Sequence, residues 1–85
     1  MAWIIYVLRC SDSSLYVGMT ADLPRRLKEH GAGKVSWTKP RLPARLVYQE
    51  GANTRGEARK REKYFKSGGG KKWLKDKLRL RHRGE

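Results

Sequence analysis

The sequence predicts a single α+β domain, a small three-stranded antiparallel sheet flanked by helices in the order β-β-α-β-α-α. Three observations carry that expectation. The stretches "WIIYVLR", "LYVGMT" and "ARLVYQE" concentrate the β-branched and aromatic residues that strands favour. The stretches between and after them begin with helix-capping residues or space their apolar residues at helical intervals. The 85 residues are enough for one modest core, and no internal repeat or linker divides them.

Each element has a local reason. "WIIYVLR" reads as a buried strand, and "SDSS" supplies turn chemistry before "LYVGMT" returns as the second arm of a hairpin. The hairpin carries Tyr6 and Tyr16, and Gly18 suggests a bulge or a close backbone approach. If the tyrosines share a face, the loop is odd or bulged; a two-residue turn at Asp12-Ser13 puts them on opposite faces. The residues leave both open.

Asp22 caps the first helix, Pro24 suits its first turn, and Gly31 or Gly33 ends it. Leu23 and Leu27 form its packed stripe, and Arg26 and His30, four apart, lie together beside that stripe. "VSWTKPRLP" is a polar connection, after which "ARLVYQE" forms a third strand with Leu46 and Tyr48 alternating against Val47. Thr54 and Glu57 stand at capping-box spacing ahead of a helix that aligns Ala58, Glu62 and Phe65 on one face. "GGGKK" is expected to break this helix, and "KKWLKDKLRL" to form a short last one packing Trp73, Leu74 and Leu78. The domain covers 1–80, and 81–85 form a basic tail.

Lys and Arg number 21 against 8 Asp and Glu, a net charge of +13. That excess favours a polyanionic partner, nucleic acid above an anionic membrane, since no helix carries the aromatic and leucine face that interfacial anchoring needs. Cys10 is the one cysteine, which rules out an internal disulfide and a thiolate zinc cluster. The apolar run from Ala2 to Leu8 has no basic leader and is too short to span a bilayer, so the expected location is the cytoplasm, or the nucleus of a eukaryote.

A carboxylate on an apolar helix face is the first candidate for chemistry. Glu62 is either a boundary residue paired with a neighbouring Lys or Arg, or a ligand for Mg²⁺, which needs one or two carboxylates when substrate phosphate completes its shell. Arg26 is either one more solvated arginine or a planar clamp for two phosphate oxygens. His30 suits a helix end and also a water-orienting or proton-accepting role. Strand tyrosines ordinarily pack with the hydroxyl at the rim.

Together these residues resemble the GIY-YIG nuclease superfamily. The resemblance rests on "IIY" ending at Tyr6, "YVG" at Tyr16 to Gly18, "DLPRRLKEH" with Arg26 and His30, and "EARKREKYFK" with Glu62. It is closest to the small bacterial members, through the frame "DLxRRLxEHxxGK…RLVYxE…AxxREKxxK", and the catalytic domains of excision-repair and structure-specific endonucleases are similar. Ile4 stands where the first motif has glycine, and Met19 where the excision-repair branch has lysine. Where that branch has an asparagine after the glutamate helix, this chain offers Ser67.

The resemblance implies a metal-dependent endonuclease that hydrolyses phosphodiester bonds in DNA at branched, flapped or damaged structures. Tyr6, Tyr16, Arg26, His30 and Glu62 would line its active site, with both tyrosines on one sheet face. Glu62 would hold Mg²⁺ or Mn²⁺ and Tyr16 would take the proton from water, with His30 as the competing base. A free tyrosine titrates near ~10, so a tyrosine base asks for about 4 kcal/mol of preferential phenolate stabilisation. Lys34, Lys39, Arg41, Lys60, Arg61, Lys71 and Lys72 are candidates for backbone contacts, and Trp37 for stacking on an unpaired base. The alternative is a non-catalytic DNA- or RNA-binding protein that keeps the fold. A protein partner that supplies targeting is compatible with either.

Overall fold

The computed structural model describes residues 2–83, with side chains as far as Leu78. Strands β1 (Trp3–Arg9) and β2 (Leu15–Thr20) are followed by helix α1 (Leu23–Gly31) and a short 3-10 turn at Lys39–Arg41. Then come β3 (Arg45–Ala52), α2 (Arg55–Lys66) and α3 (Gly68–Arg83), the expected order. The sheet is antiparallel with β1 in the middle, in the spatial order β2-β1-β3.

A middle strand covered on both faces needs an unbroken apolar run, and Ile5, Tyr6, Val7 and Leu8 are all buried. On one face Ile5, Val7 and Val17 pack against Ala58 and Phe65 of α2 and Leu74 of α3. On the other, Tyr6 and Leu8 meet Leu23 and Leu27 of α1, with Tyr16 and Leu46 at the margin. Each fully buried Leu, Ile or Phe contributes roughly 1.5–3 kcal/mol, so β1 anchors both layers.

Hairpin parity is settled by the loop. Cys10 N–H donates to the Ser14 carbonyl at 2.9 Å, which closes a three-residue loop, Ser11–Ser13. Ser13 takes a positive φ of 70°, as the last residue of such loops does. Asp12 supports the turn by accepting from Ser14 N–H at 3.0 Å. The odd loop pairs Tyr6 with Gly18 and Leu8 with Tyr16, so the two tyrosines share a face.

Two local expectations are corrected. Along β3 the register against β1 slips between Val7, which faces Tyr48, and Leu8, which faces Leu46, leaving Val47 as a bulge. Simple alternation fails there, and Val47 and Tyr48 both pack on the α2 side while Leu46 packs on the α1 side. The glycine run does not break a helix either. The break is Ser67, with ψ 165°, and the glycines open α3.

Ser67 caps the new helix, accepting Lys71 N–H on its carbonyl at 2.9 Å and Gly70 N–H on its hydroxyl at 3.3 Å. Leu74 is buried and Leu78 half-buried as expected, whereas Trp73 stays exposed at the rim, its ring 5.6 Å from that of Phe65. The helix runs longer than expected, through Arg81–Arg83 of the proposed basic tail. Gly84 and Glu85 lie outside the described residues.

The α2–α3 corner yields a paired test. A Cβ on Gly70 would overlap the backbone carbonyl of Tyr64, while one on Gly69 would meet nothing within 4 Å. Gly70→Ala is expected to destabilise by about 1–3 kcal/mol or more, because backbone rather than a mobile side chain must yield. Gly69→Ala is expected to stabilise by roughly 0.5 kcal/mol through helix propensity. Urea denaturation midpoints of the two variants should move in opposite directions.

Candidate active site

Three elements bring four of the expected residues together. β1 supplies Tyr6, β2 supplies Tyr16 beside it, and α1 supplies Arg26 and His30. The helix is placed by its own ends: Asp22 accepts Arg25 N–H on its side chain, and Gly33 at φ 75° turns the chain away after the C-terminus. Leu23 and Leu27 face the sheet, and the residues beside that stripe therefore reach Tyr6.

Tyr6 is the centre of the cluster. Its hydroxyl accepts from Arg26 Nε–H at 3.3 Å and lies 2.9 Å from His30 Nε2. The Tyr16 ring stands 6.2 Å from the Tyr6 ring and 5.0 Å, edge-on, from the His30 imidazole. Tyr6 reaches this position by lying over Gly18, where a Cβ would fall 2.5 Å from the hydroxyl oxygen. Gly18 therefore supplies space for a ring rather than an unusual backbone angle.

Burial sets the protonation states. Tyr6 is 1% exposed and its pKa is pushed up to about 12, mainly by desolvation, with the Arg26 hydrogen bond pulling the other way. His30 is held below its ordinary value, first by burial and then by the Arg26 charge, against a smaller opposing effect of Glu29. Arg26 is held protonated more firmly than usual by its bonds to Tyr6 and to Glu29, which accepts from Nη1 at 3.0 Å.

His30 has no free nitrogen. Its Nδ1 lies 2.8 Å from the hydroxyl of Thr38, which is fully buried in the loop before the 3-10 turn. Neither Thr38 nor Glu29 was among the residues the sequence singled out. Thr38 sits in a stretch that reads as polar connection, and nothing in its neighbours marks it as buried.

Glu62 is not joined to this cluster by a hydrogen bond or ion pair. It lies on α2, across the sheet, with its side chain 18% exposed and paired to Lys66 Nζ at 3.3 Å. That is the boundary glutamate with a lysine partner that its position allowed. Among the described residues no group of three or more His, Cys, Asp or Glu gathers into a metal site. A single carboxylate still suits Mg²⁺ or Mn²⁺ when phosphate and water fill the other positions.

Beside Tyr16 a groove of about 590 Å³ opens between the hairpin, Trp37 and the α2–α3 corner, with Lys66, Lys71 and Lys75 among its lining. Trp37 is 42% exposed, and its ring lies 5.5 Å from that of Tyr16. The basic candidates divide. Lys34, Lys39, Lys60, Lys71 and Lys72 are exposed. Arg41 is committed internally, stacked 4.2 Å over Trp37 and 3.4 Å from the Asp12 carboxylate. Arg61 grips Glu50 through Nε at 2.6 Å and Nη2 at 3.1 Å. Ser67 is likewise used up as a helix cap, which removes it as a substitute for the missing asparagine.

The tyrosine pair and the arginine–histidine helix meet on one face of a β2-β1-β3 sheet, the arrangement that the resemblance to a nuclease family implied. Residues 2–76 match the GIY-YIG catalytic domain, and the chain belongs to that family. It is 48% identical over 63 residues to the UPF0213 protein SAG0778 of Streptococcus agalactiae, covering 73% of this chain and 72% of that one. It is 43% identical over 72 residues to the UPF0213 protein SSP2268 of Staphylococcus saprophyticus, covering 84% and 88% respectively. The solution NMR structure of the UPF0213 protein BH0048 from Bacillus halodurans superposes with a TM-score of 0.57 at 37% identity, covering 89% of this chain and 84% of that one. Among the described residues no helix is long and apolar enough to cross a membrane.

Two expectations follow. His30 is kept neutral by folding, so the unfolded chain binds a proton that the folded protein does not. The stability this contributes is complete above ~6.5, the ordinary histidine value, and is lost as pH falls through the lowered folded value. Denaturation free energies compared between about pH 7 and pH 5 should decline in the native protein and decline less in His30→Gln. Gly18→Ala should drive the Tyr6 ring from its seat, at a stability loss of about 1–3 kcal/mol. NMR titration should then show the His30 pKa moving up toward its ordinary value as Tyr6 withdraws.

Proposed function

We propose that the protein is a metal-dependent endonuclease that hydrolyses phosphodiester bonds in DNA, with branched, flapped or damaged structures as the substrates to test first. The convergence of Tyr6, Tyr16, Arg26 and His30 at one spot on a chain of net charge +13 is the observation that carries this reading.

The groups divide the work by what each has free. Arg26 has five N–H donors and gives Nε–H to Tyr6 and one Nη1–H to Glu29, which leaves donors for a phosphate as charge builds at phosphorus. Between the two candidate bases the geometry favours Tyr16. His30 is 2% exposed with both nitrogens engaged, while Tyr16 is half-buried and lines the groove. Glu62 is the residue that would hold Mg²⁺ or Mn²⁺, with Lys66 giving way. The bound ion would supply Lewis-acid polarisation of the phosphate and charge neutralisation at the leaving oxygen.

Lys34, Lys39, Lys60, Lys71 and Lys72 are exposed and suited to backbone contacts, and the half-exposed face of Trp37 to stacking on an unpaired base. The cytoplasm, or the nucleus of a eukaryote, is where such an enzyme would meet DNA. A second reading, a non-catalytic nucleic-acid-binding protein on the same fold, is favoured by one observation: Glu62 is already neutralised by Lys66. It predicts affinity that falls steeply with salt and has no metal requirement.

The test is incubation with labelled flap, fork, single-stranded and supercoiled DNA in Mg²⁺, Mn²⁺ or EDTA, beside Glu62→Ala and Tyr16→Phe. Metal-dependent cutting is expected in the native protein, with Tyr16→Phe about a hundredfold or more slower, the scale on which removal of a proton-transfer group acts, and Glu62→Ala without metal-dependent cutting. Tight, salt-sensitive binding to these substrates by all three proteins, with no product from any, would exchange this reading for the second.

A further inference from the structure

Beside the Tyr6 hydroxyl, His30 and Thr38 are the buried polar side chains among the described residues, and Thr38 has no part in the chemistry above. Donor and acceptor counting around His30 gives it one. Arg26 can only donate, and its Nε–H points at the Tyr6 oxygen from 3.3 Å. Tyr6 keeps its own proton at neutral pH, because burial pushes its pKa up to about 12. A buried O–H needs an acceptor, and His30 Nε2 lies 2.9 Å away.

Nε2 accepts only when unprotonated, which places the single proton of a neutral imidazole on Nδ1. Nδ1 lies 2.8 Å from Thr38 Oγ1, and the Thr38 hydroxyl donates to the Val35 carbonyl at 3.4 Å, leaving a lone pair to receive Nδ1–H. The opposite tautomer would direct two N–H donors, from Arg26 and His30, at the one Tyr6 oxygen. It would also leave the Tyr6 proton to seek Tyr16. The other titratable groups facing His30 are Tyr16 from β2 and Arg26 and Glu29 from its own helix.

We propose that Thr38 is a positioning residue: it accepts from His30 Nδ1–H and locks the imidazole in the tautomer whose Nε2 accepts from Tyr6. The Tyr6 O–H is thereby directed at His30, and its oxygen is left to accept from Arg26. The catalytic meaning of this arrangement rests on the nuclease reading; the tautomer itself does not. No proton leaves the network at rest, since each group donates and accepts in one consistent direction from Arg26 to the Val35 carbonyl.

Nitrogen-15 NMR of the imidazole reads the tautomer directly, whether or not DNA is cut. The native protein is expected to show His30 protonated on Nδ1. Thr38→Val removes the acceptor at nearly constant shape, and His30 should pass to the Nε2–H form. Cleavage should fall about tenfold or more, the scale on which residues that orient a functional histidine act. Thr38→Ser should restore both the tautomer and the rate. Tyr6→Phe should keep Nδ1–H, because Thr38 still receives it.

An unchanged tautomer in Thr38→Val, or a switch in Tyr6→Phe, would overturn the proposal. If Thr38→Val does not fold, the serine and phenylalanine variants decide by the same spectra, and a switch in either is a refutation. A tautomer that follows Thr38 in a protein that cuts nothing would leave the positioning role standing and remove the nuclease reading.

Discussion

The Tyr6 hydroxyl is the constraint on which the rest of the site depends. A tyrosine O–H placed on the middle strand of a sheet covered on both faces loses its water. Left without partners it costs about 1–3 kcal/mol, and the fold must bring partners to it. Arg26 and His30 come from one helix, one turn apart, and reach the same oxygen because Leu23 and Leu27 fix that helix against the sheet. Gly18 clears the space through which the ring passes. The odd hairpin loop, with Ser13 at φ 70°, places Tyr16 on the same face and so beside the same imidazole. Changing any one of these features would withdraw a partner from a buried polar group.

How much of this was legible in the sequence follows from the range over which each feature is determined. Caps at Asp22 and Thr54, the leucine stripe of α1 and the strand character of β1 are set by neighbours within a turn or two, and the chain states them openly. The shared face of the tyrosines needed one further bit, the parity of the loop, which no single residue of "SDSS" declares. The resemblance to a known family supplied it, and the three-residue loop is its physical form. The bulge at Val47 was not legible, because register along β3 is settled by what both faces of the sheet must bury. Gly70 read as a helix breaker for a related reason. Its small size serves a contact with the Tyr64 carbonyl of the preceding helix, and local propensity carries no information about a crossing.

The excess charge is likewise not one undifferentiated surface. Arg25, Arg26, Arg41 and Arg61 are engaged in ion pairs, and Arg41 and Arg61 also stack on aromatic rings. The planar fork of arginine suits such fixed geometry, whereas lysine is a mobile, strongly hydrated point charge. The exposed candidates that remain for a polyanion are lysines, at Lys34, Lys39, Lys60, Lys71 and Lys72. The candidate list drawn from sequence treated both residue types alike. Structure separates them into arginines committed to carboxylates of the fold and lysines that lie exposed to a phosphate backbone. Lysine contacts of that kind carry affinity and salt dependence rather than sequence readout, which suits a partner recognised by shape.

The two readings of function part at Glu62. A half-buried carboxylate cannot stay without a counter-charge, and in this structure Lys66, one turn along α2, provides it. An i,i+4 lysine pair of this exposure is worth well under ~1 kcal/mol, so it satisfies the carboxylate without committing it. A divalent ion carries twice the charge and, with a phosphate oxygen, completes a coordination shell that an ammonium group cannot. Lys66 also lines the groove beside Tyr16, where an incoming phosphate would offer the ammonium an anion of its own. Lys66 drawn to a phosphate would leave the Glu62 carboxylate free to hold a divalent ion. Glu62 is thus held by a weak partner that itself lines the groove, and the nuclease reading draws its coherence from that link.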